Sequence, residues 1–503
     1  MHLLRTQWEV AQWLVQKLPT IRYNGREWLK FNENWAAITQ DQLIGELAAT
    51  IQVERAAIIA QLSSLSEGDA DRAKKQIQLL GGYLNYWPLL GLAKLLQGAA
   101  VQTEGWDNQD HCFVAGTRKI DLKTGLSSQV KLTDQFTRYT QILYNPAAPC
   151  PRWLKFLDEI TKGNTELINY LQRAVGYTLT GHTYEQVLFI LVGPGSNGKN
   201  IFLEVLYDLF GGSSSSTFSH QTTFKVLERA YGGESAPGTA SPHLAALEGC
   251  RFVMASESHE GSFFNDGLVK SLTGDAHITA RQLHQHEKVF RNKAKFWLAC
   301  NNLPRVSDTT LGFWRRLQIV QLDRIFQDKD KDLYLRDKLR AELPGILNWA
   351  IAGALEWTKS GLQPPAQVGQ AVQQYRKGSD TLSAFLDECC YIGEGVHTVR
   401  KSLHAAYKSF AREELGHKNF WSVETLTDKL KTRNIIYKKR GQHLFLGVCL
   451  RTELHKFGIT QEQLMETEED GNTNKASRTD AIGRGEPVSA FSAANTRADN
   501  NPY

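Results

Sequence analysis

The sequence predicts an α/β protein: a core of alternating strands and helices, preceded by a mixed α+β region and followed by a smaller domain. Three observations carry that expectation. From Gln186 onward, short apolar runs at 187–192, 251–255 and 295–299 alternate with helical patterns, as in a sheet wound with helices. A glycine-rich loop, Gly193-Pro-Gly195-Ser196-Asn197-Gly198-Lys199-Asn200, lies between the first run and a helix expected at 201–210. Pro364-Pro365 then ends a helical stretch at 331–359, and a second pattern of helices and a hairpin follows at 381–451.

The composition fits this reading. The chain has 503 residues, 42% hydrophobic and 22% charged, with 58 Lys+Arg against 53 Asp+Glu. At about 150 residues per domain, roughly three domains are expected. No apolar run approaches the ~18 residues of a membrane span, and the first residues lack the pattern of a signal peptide. The seven cysteines are odd in number and contain no Cys-x-x-Cys, which points to reduced thiols in a cytoplasm. A net charge of +5 implies no nucleic-acid partner by itself, so any such evidence must be local.

In order along the chain, Tyr23-Asn24-Gly25 before Trp28-Leu29-Lys30-Phe31 reads as a hairpin, because Asn-Gly tolerates the positive φ of a tight turn. Residues 41–96 have helical spacing, with a polar break at Ser66-Glu67-Gly68. A β-like stretch at 120–125 ends in the turn Thr124-Gly125. Asn145 to Pro151 is a proline-rich connector, and amphipathic helices follow at 153–160 and 166–177. In the C-terminal region, helices are expected at 382–389, 399–414 and 422–433, then a hairpin at 435–446. From about 461 the chain turns to Asn, Thr, Ser, Gly and Asp and is expected to be disordered. The expected boundaries are 1–145, 146–365, 366–455 and a tail at 456–503.

The glycine-rich loop has the context of a phosphate-binding loop. Glycines let backbone N–H groups face phosphates, the following helix adds its dipole, and Lys199 reaches the β/γ oxygens. Gly193, Gly195, Ser196, Asn197, Gly198, Lys199 and Asn200 are therefore candidate ATP-binding residues. One position departs from the motif: Asn200 stands where Ser or Thr ligates Mg²⁺, so its amide oxygen takes that role or the metal site is weakened. The strand at 251–255 runs into Glu257 and Glu260, candidates to hold Mg²⁺ and polarise water, with Glu257 favoured. The strand at 295–299 leads to Asn301-Asn302, where an amide can sense the γ-phosphate. Arg315 and Arg316 are either a solvated face or a source of positive charge for a neighbouring subunit's site.

These residues, in this order, resemble the phage/plasmid primase–helicase family, that is, superfamily III helicases of the poxvirus and phage-satellite type. Other landmarks of the resemblance are Tyr144-Asn-Pro-Ala-Ala-Pro-Cys-Pro-Arg-Trp153, Ser271-Leu-Thr-Gly-Asp275, Ala299-Cys-Asn-Asn-Leu-Pro304 and Leu343-Pro-Gly-Ile-Leu-Asn-Trp349. The resemblance implies an AAA+-like P-loop ATPase core and a C-terminal winged-helix domain. It implies ATP and Mg²⁺ as cofactors, with Glu257 and Glu260 as an acidic pair and Asn301 as a sensor. Arg315 or Arg316, with Arg316 preferred, would be an arginine finger. The implied assembly is a homo-oligomeric ring, a hexamer, translocating 3′-to-5′ on single-stranded DNA to open forked DNA during replication of a mobile element. A separate primase or polymerase would supply priming, which the roughly 180 residues before the loop are expected to lack. The alternative is a DNA-binding initiator or loader ring with weak or no ATP hydrolysis.

The resemblance also implies a DNA-moving hairpin before the sensor strand, carrying Arg281, His284, His286, Lys288, Arg291 and Lys293. Residues 281–316 hold eight Lys/Arg against two Asp/Glu, which suits phosphate tracking. Phe290 could stack on a base or pack in the core, and no Cys/His partner gives the two histidines zinc-ligand spacing. In the C-terminal domain, residues 422–433 are a candidate recognition helix, and Lys438, Lys439 and Arg440 a basic wing. Residues 400–443 hold eleven Lys/Arg against four Asp/Glu, whereas residues 461–503 are acidic.

Overall fold

The computed structural model describes residues 4, 6–24, 27–99, 105–214, 216–229, 241–256, 262–283, 286–306, 310–327, 332–413 and 420–459. The chain divides into two compact units, Met1–Ser379 and Asp380–Tyr503. The first opens with α1 (Gln7–Lys17), whose N-terminus is closed by a capping box between Thr6 and Glu9. An antiparallel meander of β1 (Ile21–Tyr23), β2 (Trp28–Asn32) and β3 (Asn34–Ile38) follows. Tyr23 faces Trp28 across β1 and β2, so the hairpin expected around Asn24 forms.

Three helices come next: α2 (Gln40–Gln61), α3 (Glu67–Gly82) and α4 (Tyr86–Ala99). Ser66, in the expected polar break, caps α3 by accepting from the Asp69 N–H. Leu14, Leu47, Ile51, Leu80 and Leu92 close a core shared by these elements. A second antiparallel sheet comprises β4 (Cys112–Ala115), β5 (Arg118–Asp121) and β6 (Ser127–Gln129). Its turn is held by Asp121, whose carboxylate accepts from the Lys123 and Thr124 N–H groups.

Helices α5 (Pro151–Thr161) and α6 (Thr165–Leu179) lead into the central sheet. In chain order this region contains β7 (Leu188–Val192), α7 (Lys199–Leu209), β8 (Ser219–Thr223), α8 (Pro242–Ala245), β9 (Phe252–Ser256), α9 (Asp266–Gly274), the hairpin β10 (His277–Ala280) and β11 (Lys288–Arg291), β12 (Lys295–Cys300), α10 (Leu311–Trp314) and β13 (Leu317–Gln321). Five strands form a parallel sheet in the order β13-β7-β12-β9-β8. Every residue of β12 is buried, as expected for a parallel strand covered on both faces. Helices α11 (Leu335–Ala341), α12 (Leu343–Ser360) and α13 (Ala366–Ser379) complete the unit. The architecture is thus mixed α/β around a parallel five-stranded sheet.

The boundary between units lies at 379/380 rather than at 365/366. α12 ends at Ser360 with Gly361 as its C-cap, and Pro364-Pro365 beyond it does not end the unit, because α13 packs back on the core through Val368 and Ala371. Tyr375 adds an edge-to-face contact with Trp314 and donates to the Pro304 carbonyl.

The second unit contains α14 (Thr381–Cys389), β14 (Cys390–Val399), α15 (Arg400–Glu413), α16 (Val423–Lys431), β15 (Ile436–Arg440) and β16 (Gln442–Leu450). The strands form an antiparallel sheet ordered β14-β16-β15, closed over Leu403, Tyr407, Phe410, Leu426, Leu430 and Phe445. The three helices and the hairpin stand where periodicity places them. The expected tail lies outside the described residues from 460 onward. Among the described residues, no helix is long and apolar enough to cross a membrane.

Candidate nucleotide-binding site

The candidate loop leaves the end of β7, next to the end of β12, at the carboxyl edge of the parallel sheet. That edge is where open α/β sheets place their ligands. Two of its glycines are required by space. A Cβ on Gly193 would come within 2.2 Å of the Leu322 carbonyl oxygen, and one on Gly198 within 2.6 Å of the Ile160 Cγ2. Gly198 also has φ +88°, a conformation L side chains rarely adopt. By contrast, a Cβ on Gly195 would meet no atom within 4 Å, so this stretch of backbone is open.

The segment after β13 anchors the loop from below. Leu322 N–H donates to the Val192 carbonyl (2.9 Å) and Phe326 N–H to the Ser196 carbonyl (2.8 Å). Asn197 is 2% exposed and donates through Nδ2 to the Leu322 carbonyl at 2.9 Å. Ser196 and Asn200 are exposed.

Lys199 is the first residue of α7 and is only 4% exposed. Its Nζ donates to the carbonyls of Gly193 (2.7 Å) and Pro194 (3.3 Å). It also donates to the Oδ1 atoms of Asn197 (2.9 Å) and Asn301 (3.3 Å). Burial lowers its pKa. All these partners are neutral oxygens, so among the described residues no carboxylate cancels the positive charge of the amine. An anion brought to the loop can replace several weak partners at once. Beside it, burial pushes the Cys300 thiol up to about 12, which keeps this cysteine protonated and inert.

Asn301 thus meets Lys199 across two neighbouring strands. The parallel register pairs Ser256 with Ala299, so β9 points its C-terminal end to the same edge. Glu257 and Glu260 follow it but lie outside the described residues.

The two arginines differ. Arg316 is tied within its own unit: Nε donates to the Thr273 hydroxyl at 3.0 Å and Nη1 to the Gly312 carbonyl. Arg315 is exposed and donates to Gln186 Oε1 at 2.9 Å. Arg315 is therefore the freer of the two, against the order of preference drawn from the sequence.

The hairpin β10–β11 forms where expected, with Arg281 and His286 exposed. His284 lies outside the described residues. Lys288 pairs with Glu248, and Phe290 is 7% exposed within the hydrophobic core, so it packs rather than stacks on a base. Lys293 is buried, unlike the DNA-facing residue that the resemblance implies. It is 7% exposed, sits 3.0 Å from Asp110 Oδ1 and donates to the Asp107 carbonyl, so it offers nothing to DNA. Arg291, half exposed, holds the other Asp110 oxygen at 2.6 Å. Burial opposes ionisation of Asp110, but Lys293, Arg291 and Arg251 still hold its carboxyl below the usual range. Sequence reasoning missed Asp110, Arg251 and Lys295. Buried Arg251 donates to the Cys112 carbonyl at 2.8 Å, and buried Lys295 to the Lys293 carbonyl at 2.8 Å. No local signal marks such partners, which come from distant parts of the chain. In the second unit, Lys438 and Lys439 are exposed on β15, and Arg440 ends that strand.

Residues 191–316, from the end of β7 through Arg316, match a family of unknown function (DUF5906). The chain is similar to "Putative helicase L207/L206" of Acanthamoeba polyphaga mimivirus, 27% identical over 236 residues. It is 26% identical over 238 residues to "Putative helicase 022R" of Frog virus 3. Each match covers 44% of this chain and 24% of the relative, so the chain spans about a quarter of those proteins. "Putative primase C962R" of African swine fever virus is 25% identical over 225 residues, 42% of this chain and 22% of that protein. A solved structure, "The A form apo structure of NrS-1 C terminal region-CTR", overlaps 88% of this chain and 100% of its own at 11% identity. Its TM-score of 0.44 is too low to carry an argument.

Proposed function

We propose that this chain is an ATP-hydrolysing, ring-forming DNA helicase of replication, with an AAA+-like P-loop core in the first unit and a winged-helix DNA-binding domain in the second. The observation that carries the reading is the Lys199 amine, buried at the exit of adjacent strands and held by neutral oxygens of the loop and of Asn301. The similarity to viral proteins named as helicases and primases of large DNA viruses supports the DNA-replication part.

In this mechanism, Gly193 to Asn200 wrap the β- and γ-phosphates with backbone N–H groups. Lys199 leaves its carbonyl partners for the phosphate oxygens, and Asn301 then orients on the γ-phosphate or the attacking water. Mg²⁺ would neutralise phosphate charge, held by the exposed Asn200 amide and by Glu257, with Glu260 as the second acid. Arg315, or less favourably Arg316, would stabilise transition-state charge in the next subunit of a hexamer. Arg281, His284, His286, Lys288 and Arg291 would track a single strand, 3′-to-5′, at a fork. A partner primase or polymerase completes this proposal.

A second reading keeps the ring and DNA binding but makes hydrolysis slow: an initiator or loader. Asn200, replacing the hydroxyl ligand for Mg²⁺, favours it. Strand displacement on a forked duplex separates the two. The helicase reading expects ATP-dependent displacement by the wild type and none by Lys199→Ala. DNA binding without displacement, at any salt or Mg²⁺ concentration, supports the loader and ends the helicase reading.

A further inference from the structure

Within the second unit, α16, the observed part of the expected recognition helix, carries no excess of positive charge. In α16, Glu424 and Asp428 balance Lys429 and Lys431. Glu424, Thr425 and Asp428 are its exposed residues in the first two turns. Lys429 is occupied over the Trp421 ring, 4.6 Å from its centroid, and Lys431 is 3.1 Å from Asp428. Such a surface attracts no phosphate.

The positive charge gathers instead where three elements meet around Tyr437 on the edge strand β15. Arg400, the first residue of α15, lies 5.9 Å from the Tyr437 ring centroid, and Lys431, the last of α16, lies 5.3 Å from it. The His443 ring stacks on the same tyrosine at 5.7 Å, and the Tyr437 hydroxyl bonds His443 Nδ1. Lys439 faces His443 across β15 and β16, so it lies on the same face of the hairpin. The Arg400 Nε is buried without a hydrogen-bond partner, and no carboxylate pairs with Arg400 or Lys439 among the described residues.

We infer that Arg400 and Lys439, set around Tyr437, form a binding site for the phosphodiester backbone of nucleic acid. The second unit thus grips DNA by the helix side of its hairpin and does not read a groove with α16. Phosphate contacts position a protein without carrying sequence information, so binding here is indifferent to sequence. Arg400 is the main anchor because its fork can hold two oxygens of one phosphate. The inference rests on the DNA reading of the previous subsection.

The test uses the full chain and fluorescein-labelled oligonucleotides, single-stranded and duplex, in anisotropy titrations across salt. Arg400→Met and Lys439→Met should each weaken binding several-fold at about 50 mM salt. Each should lower the log–log salt slope by roughly 0.7 on single strands and roughly 0.9 on duplex. The loss should be equal for oligonucleotides of unrelated sequence, and Arg400→Lys should recover part of it. Glu424→Ala with Thr425→Ala should leave affinity and sequence preference as in the wild type. If the Met variants keep the wild-type affinity and slope, or if the α16 variants change sequence preference, the site is wrong. Absence of any DNA binding by the wild type would instead overturn the DNA reading itself.

Discussion

Lys199 and Lys293 are both buried lysines of the same parallel-sheet unit, 4% and 7% exposed, yet their surroundings give them opposite meanings. Lys199 holds neutral oxygens at the carboxyl edge of the sheet. Lys293 precedes β12, at the other edge, and faces the carboxylate of Asp110. A buried cation among carbonyls remains available to an anion, while one facing a carboxylate already has its counter-charge. The partner, more than the burial, separates a binding lysine from a structural one.

The sharpest way to break this comparison is to remove one counter-charge. Asp110→Ala leaves Lys293 and Arg251 buried without their carboxylate and should cost about 3–5 kcal/mol of stability, read as a lower urea midpoint. Asp110→Leu with Lys293→Met should recover only part of that loss, because Arg251 still lacks the carboxylate. Equal stability of Asp110→Ala and wild type would show the pair to be dispensable. Next in size is Gly193→Ala, whose Cβ would need the space of the Leu322 carbonyl. It should weaken nucleotide binding at least about tenfold, with a shift in the thermal midpoint of only a few degrees.

A smaller effect is expected from His182, whose Nε2 lies 2.9 Å from His111 Nδ1. Burial, then His111, pushes its pKa down to about 4 from 6.5. Above pH 6.5 the imidazole is neutral folded and unfolded, so it contributes no pH dependence there. As pH falls from 6.5 towards 4 the unfolded chain takes up the proton first and stability is lost. Midpoints at pH 7 and pH 5 should therefore differ less in His182→Gln than in wild type, and an unchanged difference would contradict the assignment. The smallest effect is at Asn200: Asn200→Thr should lower the Mg²⁺ needed for half-maximal hydrolysis by about a few-fold.

The same contrast explains what was legible in the sequence. The loop, its helix, β12 and the hairpin are local patterns of glycine, period and charge, and they stand where those patterns place them. Ion pairs between distant segments leave no local trace, so Lys293 looked like one more basic residue of a basic stretch while Asp110 looked like nothing. Phe290 shows the same limit: its alternation in a short strand fits a core face or a solvent face, and packing decided for the core. At Pro364-Pro365 the punctuation was real, but the next helix still had an apolar stripe to bury, and it buried it on the first unit. In the second unit the excess of positive charge was visible, yet its convergence around Tyr437 depends on how three elements fold together.

The central claim is that Lys199, held by neutral oxygens, serves the phosphates of ATP. The most direct test is steady-state ATP hydrolysis by the full chain, with and without single-stranded DNA, for wild type and Lys199→Ala. Hydrolysis that rises with single-stranded DNA and falls by about 100-fold or more in Lys199→Ala is the predicted result. Equal hydrolysis by wild type and Lys199→Ala, in the presence of DNA, would contradict it.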